Sequence, residues 1–461
     1  MFITCGLEKR YNIIDLKNNH FEKFGRFIMA LKNLIHSEDW ARICGIHGNT
    51  FKPNDSGILC PTDKDIVTRI GETGEPFYCK HSAYSFIAWH TPYLYQFELL
   101  LNKYNTSSND EYITLPFLDL TDYSADFGFL NDPEITIFYE KKKITVINPL
   151  AGAYYYSNGV KVKTVREGFF TPRNKKERLQ LETVKKQLNN ALYASNYERF
   201  SSTPTKKDFS RTVIDYIPLE TPHNSIHNII GGKNGTMSSV DIAAFDPVFW
   251  LHHCNMDRHF YTWMYHKTSR FTKSLHPNLI TTSSFSASCA PFFSSYIYSR
   301  DWRHYKWGWL NNTDKYMQLS DTLKLNQFPY TYDLIHPDPE VSLTGFVELI
   351  DIPIPRETVE LNVYLHSTLE NLDKETHFAG SAVWFGINRN TTDCQRCNIG
   401  RTNIKIDIQN YIQTNGISAL NINNYVMVLL GEGSLIKNES GSYKTYSMSD
   451  LIKDGSYSIV V

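Results

Sequence analysis

The sequence predicts a mainly α protein, with a helical body followed by an all-β C-terminal domain of sandwich or barrel type. Two patterns predict this. Apolar residues recur at helical spacing in the first part of the chain, and strand-like alternation takes over after "QFPYTYDLIHPDPEVS", where Pro337 and Pro339 punctuate. The expected domains are therefore 1–340 and 341–461, the second having the length of a small β domain.

Taken in order, "FEKFGRFIMALKNLIHSEDWARICGI" places Phe24, Phe27, Ile28, Leu31, Leu34 and Ile35 on one helical face. "WHTPYLYQFELLLNKY" does the same after a proline near its start. Residues 101–215 are polar and irregular, with an expected hairpin in "PEITIFYEKKKITVINP" and a Lys/Glu-rich helix near 175–194. Asp246 and Pro247 read as the N-cap and first residue of a further helix. Beyond the boundary, "VSLTGFVELIDI", "TVELNVYLH", "SAVWFGI", "TNIKIDI" and "YVMVLL" read as strands.

Among 461 residues, 47 are basic and 48 acidic, so no global field draws the chain to nucleic acid or to an anionic membrane. The start, "MFITCGLEKRYNIIDLK", lacks a basic segment followed by an apolar core, and no later apolar run reaches the roughly 20 residues that span a bilayer. A soluble, cytoplasmic protein acting on small molecules is expected. The sequons at Asn105, Asn234, Asn311, Asn390 and Asn438 then go unused. Eight cysteines are too sparse for a disulfide framework in a chain of this length, which leaves free thiols or metal work.

Of 16 histidines, spacing singles out a subset. His223 and His227, in "ETPHNSIHNIIGG", stand at i and i+4, so a helix presents both imidazoles on one face. In "DPVFWLHHCNMDR", Phe249, His253 and Asp257 recur along one helical face, and His252 points about 100° away. His47, His81 and His90 form an earlier cluster in which a loop carries His81 and His90 begins the next helix. Six neutral imidazoles in two groups of three suit a pair of copper ions, with zinc an alternative on ligand chemistry alone.

"HSAYSFIAWHTPYLYQFE" is similar to the first copper signature of tyrosinases, and "DPVFWLHHCNMDR" to the second, in which the second histidine of the pair binds the metal. With "RYNIIDL", "GIHG", "YCKH", "HNSIHNIIGG" and "YTYDL", the chain resembles a fungal tyrosinase of the type-3 copper family. The resemblance implies a four-helix bundle around a dinuclear copper centre, one copper on His47, His81 and His90 and the other on His223, His227 and His253. It implies O2 and small phenols as substrates, oxidised to o-quinones. It further implies a thioether between Cys79 and His81, and a water held by Glu220 and Asn224 that accepts the phenol proton and permits hydroxylation of monophenols. Val240 matches the small residue beside the first copper, and Phe249 an aromatic near the entrance to the substrate pocket. Two departures concern the surroundings of the ligands. Thr91 stands where the family has Arg, and "LPFLDL" at 115–120 replaces a Trp-rich segment.

The C-terminal domain carries Cys394 and Cys397 in a CxxC, a spacing that binds Cu(I), forms a redox disulfide or supplies half a zinc site. Similarity to latent fungal pro-tyrosinases implies that this motif loads copper and that Phe385 plugs the active site. The ordinary alternative for Phe385 is a sheet-core aromatic. Activation would follow cleavage by a protease, or loosening, near residue 340. Two rival functions remain at this stage, a haemocyanin-like reversible O2 binder and an oxidase restricted to o-diphenols.

Overall fold

A computed structural model describes residues 7–47, 79, 81–108, 111–157, 160–202, 217–268, 275–293, 316–325, 327–333, 345–353, 358–384, 401–418, 421–437, 443–446 and 456–460. The chain divides into two compact units. One comprises Met1–Lys80, Ser85–Val165 and Asp241–Pro337, the other His81–Tyr84, Arg166–Val240 and Asp338–Val461. This differs from a single cut at residue 340, because the described helices between residues 175 and 231 pack with the C-terminal sheets.

The first unit is built on helices α1 (Ile13–Asn19), α2 (Phe21–Ile35), α3 (Glu38–Gly45) and α4 (Phe86–Lys103), with a long helix, Pro247–Lys267, crossing α4. The apolar face expected of α2 is the buried one: Phe24, Phe27, Ile28, Leu31 and Leu34 are inaccessible, and only Ile35 is partly exposed. At Gly25 a Cβ would lie 2.0 Å from the Phe138 carbonyl oxygen, so only glycine permits this approach of helix to strand. That strand is β2 (Glu134–Tyr139), paired with β3 (Lys142–Ile147) in the expected hairpin. Its two-residue turn puts Glu140 and Lys141 at φ 49° and 60°, the left-handed geometry that matches strand twist.

Helix α4 starts earlier than its proline suggests. It begins at Phe86, so Pro92 lies inside it and His90 sits one turn along rather than at its start. Pro92 has no N–H to give the Ala88 carbonyl. The Cys289 thiol points at that carbonyl from 3.9 Å. Burial of nearly every residue from Phe86 to Asn102 outweighs the lost helical bond.

The long helix begins as expected: the Asp246 carboxylate accepts from the Val248 N–H at 3.0 Å and Pro247 occupies the first turn. Between it and α4 lies a buried polar network. Strand β1 (Glu8–Arg10) pairs in parallel with Tyr330–Tyr332. That pairing brings Arg10 to Glu98 at 2.8 Å and to Asp257 at 3.2 Å, with its guanidinium 3.4 Å from the Tyr330 ring centre. Asp257 also accepts from Thr91 at 2.6 Å and from the Tyr330 and Tyr332 hydroxyls at 2.7 and 2.6 Å. Burial holds the Glu98 carboxyl above the ordinary range despite Arg10. Both departures from the family pattern are thereby accommodated. Thr91 becomes a donor to Asp257, and the 115–120 segment is tied down by the Leu115 N–H on Glu98 at 2.8 Å and by Asp119 on Arg258 at 2.8 Å.

The second unit joins helices to sheets. Helix α5 (Lys175–Ala191) is the expected Lys/Glu-rich one, capped by Asn174, whose side chain accepts from Glu177 N–H at 2.9 Å. It is followed by α6 (Tyr197–Ser201) and α7 (Glu220–Gly231), and the Pro247–Lys267 helix of the first unit is α8. The C-terminal strands β9 (Phe346–Pro353), β10 (Val359–Ser367), β11 (Phe378–Trp384), β12 (Arg401–Asp407), β13 (Tyr425–Lys437), β14 (Tyr443–Tyr446) and β15 (Ser456–Val460) form two antiparallel sheets. Their orders are β11-β10-β13-β14 and β12-β9-β15, and Val347, Leu349, Leu361, Val363 and Ile406 share one core between them. Of the two expected forms this is the sandwich: among the described residues no barrel closes.

α7 packs on β11, Gln180 of α5 donates to Glu360 of β10 at 2.9 Å, and Lys186 donates to Asn410 at 2.9 Å. These contacts are why 166–240 groups with the sheets. Among the described residues no helix is long and apolar enough to cross a membrane. Phe385, Cys394 and Cys397 lie outside the described residues.

Candidate metal centre

In the first unit, three imidazoles converge. A ring nitrogen of each of His47, His90 and His253 lies within 4.8 Å of the others, and all three residues are buried. His47 sits in the turn that ends α3, its N–H bonded to the Cys44 carbonyl at 3.2 Å. His90 and His253 face each other from α4 and α8 with ring centres 4.4 Å apart. His90 Nδ1 donates to the Phe86 carbonyl at 2.7 Å, which leaves Nε2 as the bare nitrogen, and the Cys79 thiol stands 3.5 Å from it. Phe249 is fully buried, 4.7 Å from the His47 ring and 4.0 Å from that of His253. An entrance position was expected for Phe249. The structure instead makes it packing that orients two imidazoles, because it lies one turn before His253 on the same buried face.

Within this unit His253 lies with His47 and His90. Direct packing of α4 on α8 brings His90 and His253 together, and the turn after α3 adds His47. His252, next to His253 with ring centres 5.2 Å apart, is also fully buried.

The second unit carries the other three. His223 and His227 share a face of α7 with ring centres 4.6 Å apart, and His81 lies 5.8 Å from His223 by the same measure. The Met237 carbonyl accepts from His227 Nδ1 at 2.8 Å, and Asn224 Oδ1 accepts from His223 Nδ1 at 2.8 Å. In both, Nε2 keeps its lone pair, the orientation that metal-binding histidines usually receive from a second partner. Burial pushes His227 down to about 3 and His81 down to about 4, so both are neutral at pH 7 and able to ligate.

Glu220, the first residue of α7, is buried rather than solvated. Its carboxylate accepts from the Ser82 backbone N–H at 2.8 Å and from the Ser202 hydroxyl, and burial raises it to about 7. Glu220 and Asn224 were expected to act as a pair. In the structure Glu220 accepts from Ser82 and Ser202, and Asn224 Oδ1 accepts from its neighbour His223. Val240 is half-buried in this unit. Sequence reasoning missed Ser82, Ser202, Tyr197 and Ser201, which act through hydrogen bonds between segments far apart in the chain and have no local signal.

The donor set fits copper: imidazoles only, three in each unit, all buried except the half-buried His81, and several with one nitrogen already committed to an oxygen acceptor. Residues 37–266 match the family model described as the common central domain of tyrosinase. A tyrosinase of Neurospora crassa is 29% identical over 301 residues, 55% of this chain and 43% of that protein. Polyphenol oxidase 4 of Agaricus bisporus is 30% identical, covering 56% of this chain and 46% of that protein. Hemocyanin 1 of Megathura crenulata is 26% identical over 55% of this chain and 6% of that protein. The chain thus spans about half the length of the tyrosinase relatives it matches. In fold it is similar to a recombinant mushroom tyrosinase, with TM-score 0.63, 16% identity and coverage of 96% of this chain and 97% of that one. It is equally similar to an Aspergillus oryzae pro-tyrosinase, at TM-score 0.63, 16% identity, 96% of this chain and 94% of that one. Through residues 37–266, the chain belongs to the tyrosinase family.

Proposed function

We propose that this chain is a copper-dependent phenol oxidase that uses O2 to hydroxylate monophenols and to oxidise o-diphenols to o-quinones. The observation that carries the reading is the convergence of imidazoles, His47, His90 and His253 in one unit and His81, His223 and His227 in the other. In keeping with the family signatures, His47, His81 and His90 would hold one copper and His223, His227 and His253 the other. Copper bound there supplies the O2 chemistry and accepts the electrons of the phenol.

The protein's own groups set the conditions. The Phe86 and Met237 carbonyls and Asn224 fix which nitrogen of His90, His227 and His223 faces a metal. Phe249, Trp89 and Tyr93 surround the first-unit imidazoles with apolar surface that excludes water. A phenol of pKa near 10 is protonated at neutral pH. Glu220, raised to about 7, is a stronger base than an ordinary carboxylate and so a better acceptor for that proton. A thioether between Cys79 and His81 belongs to this reading. So does latency, with Phe385 as plug, Cys394 and Cys397 loading copper, and a protease cutting near residue 340.

Two observations favour narrower readings. The Asn224 amide oxygen already accepts from His223, and a water held less firmly by that amide would leave an oxidase restricted to o-diphenols. The likeness to a haemocyanin favours reversible O2 binding. Copper content, followed by tyrosine and catechol oxidation by the full chain and by a version cut near residue 340, separates them. Oxidation of both phenols after cutting is expected. Catechol alone selects the diphenol oxidase, and a copper-loaded chain that oxidises neither sinks the enzyme reading.

A further inference from the structure

We infer that Glu220 is a positioning residue for His81, acting with Tyr197 and Ser201 as a clamp on the loop that carries this imidazole. The inference rests on the proposal that His81 is a copper ligand, and assigns Glu220 a task separate from that of a base.

His81 is followed by bends and turns up to α4, not by a helix that would hold it. Three hydrogen bonds tie that loop to α6 and α7. The Ser82 N–H donates to Glu220 Oε1 at 2.8 Å, and the Tyr84 carbonyl accepts from Tyr197 at 2.6 Å and from Ser201 at 2.7 Å. Tyr197 and Ser201 stand at the two ends of α6 and are fully buried. Ser202, the next residue, donates its hydroxyl to Glu220 Oε2, so one carboxylate links the loop to the end of α6.

The backbone shows that the loop is held rather than relaxed. Ser82 has φ 50°, a left-handed conformation that a serine adopts only when its surroundings over-determine it. Its N–H is spent on the carboxylate. A ligand on an unclamped loop must lose backbone freedom each time it closes on a metal, whereas a clamped one has lost it on folding. Second-partner losses of this kind commonly weaken metal binding 10- to 100-fold.

The test compares Glu220→Gln, Glu220→Ala and the double variant Tyr197→Phe/Ser201→Ala. Glutamine keeps a carbonyl oxygen for the Ser82 N–H but cannot act as a base, while alanine removes both functions. In copper-loaded protein, release to a chelator should be about 10- to 100-fold faster in the alanine and double variants, and unchanged in the glutamine variant. In metal-free protein, amide exchange at residues 81–85 should rise in the same two variants and stay at the native level with glutamine. Native copper release and native exchange in the alanine and double variants would overturn the clamp. If the native chain takes up no copper, the copper reading fails on its own, and the exchange comparison in metal-free protein still decides whether the clamp exists.

Discussion

The two histidine groups are held by different means. In the first unit, His90 and His253 project from helices α4 and α8, long elements buried along nearly their whole length and packed among Trp89, Tyr93, Phe249 and Trp250. Their positions follow from close packing, which leaves few alternative rotamers. In the second unit, His223 and His227 ride on the shorter α7, and His81 on a loop. Single hydrogen bonds to Glu220, Asn224 and Met237 orient that group. Imidazoles held by packing shift when the core fails. Imidazoles held by hydrogen bonds can be displaced while the fold survives.

The sharpest test of this contrast is all-or-none. His253→Ala should remove a ligand from a site that packing cannot rebuild, so copper per chain falls by about half or more and phenol oxidation disappears. Full copper content in that variant would refute its assignment.

Next comes the packed unit's polar centre. Arg10→Met leaves Glu98 and Asp257 buried without their cation and should cost roughly 3–5 kcal/mol in urea unfolding. A loss below about 1 kcal/mol would mean that the network is not holding α4 to α8.

The hydrogen-bonded unit should instead reveal itself through pH. Glu220 is raised from 4.5 to about 7, so between those values the native state binds more protons than the unfolded chain, and stability is lost as pH rises through that window. In metal-free protein the loss approaches roughly 3 kcal/mol, and Glu220→Gln should abolish it. Equal pH slopes in the two proteins would show that Glu220 does not titrate there.

Smaller effects mark positions outside both ligand sets. His252→Leu, at a fully buried position beside His253, should cost about 1–3 kcal/mol while copper content stays native. A loss of copper would make His252 more than a neighbour. Replacing Glu140 and Lys141 with Asn-Gly should stabilise the β2–β3 hairpin by about 0.5–1 kcal/mol, read as a higher midpoint of unfolding, because both positions already adopt left-handed φ.

Much of this was legible in the chain itself. The 3.6-residue recurrence in α2, the Asp246-Pro247 start of α8, the hairpin at 134–147 and the alternating C-terminal strands are local patterns, and short-range backbone preference with burial of one face is enough to produce them. The proline in α4 misled because burial of the residues around it, a tertiary effect, overrides a local penalty.

The sequence by itself determined the ligand chemistry: histidines at helical spacing, with the motifs that place residues 37–266 in the tyrosinase family. Tertiary structure alone decided which imidazoles converge, that Thr91 serves Asp257, that Arg10 crosses to Glu98, and that Glu220 bonds Ser82 and Ser202. The physical reason is range. A periodic pattern is set by neighbours within a few residues, whereas a hydrogen bond between residues 82 and 220 exists only once packing has brought those segments together.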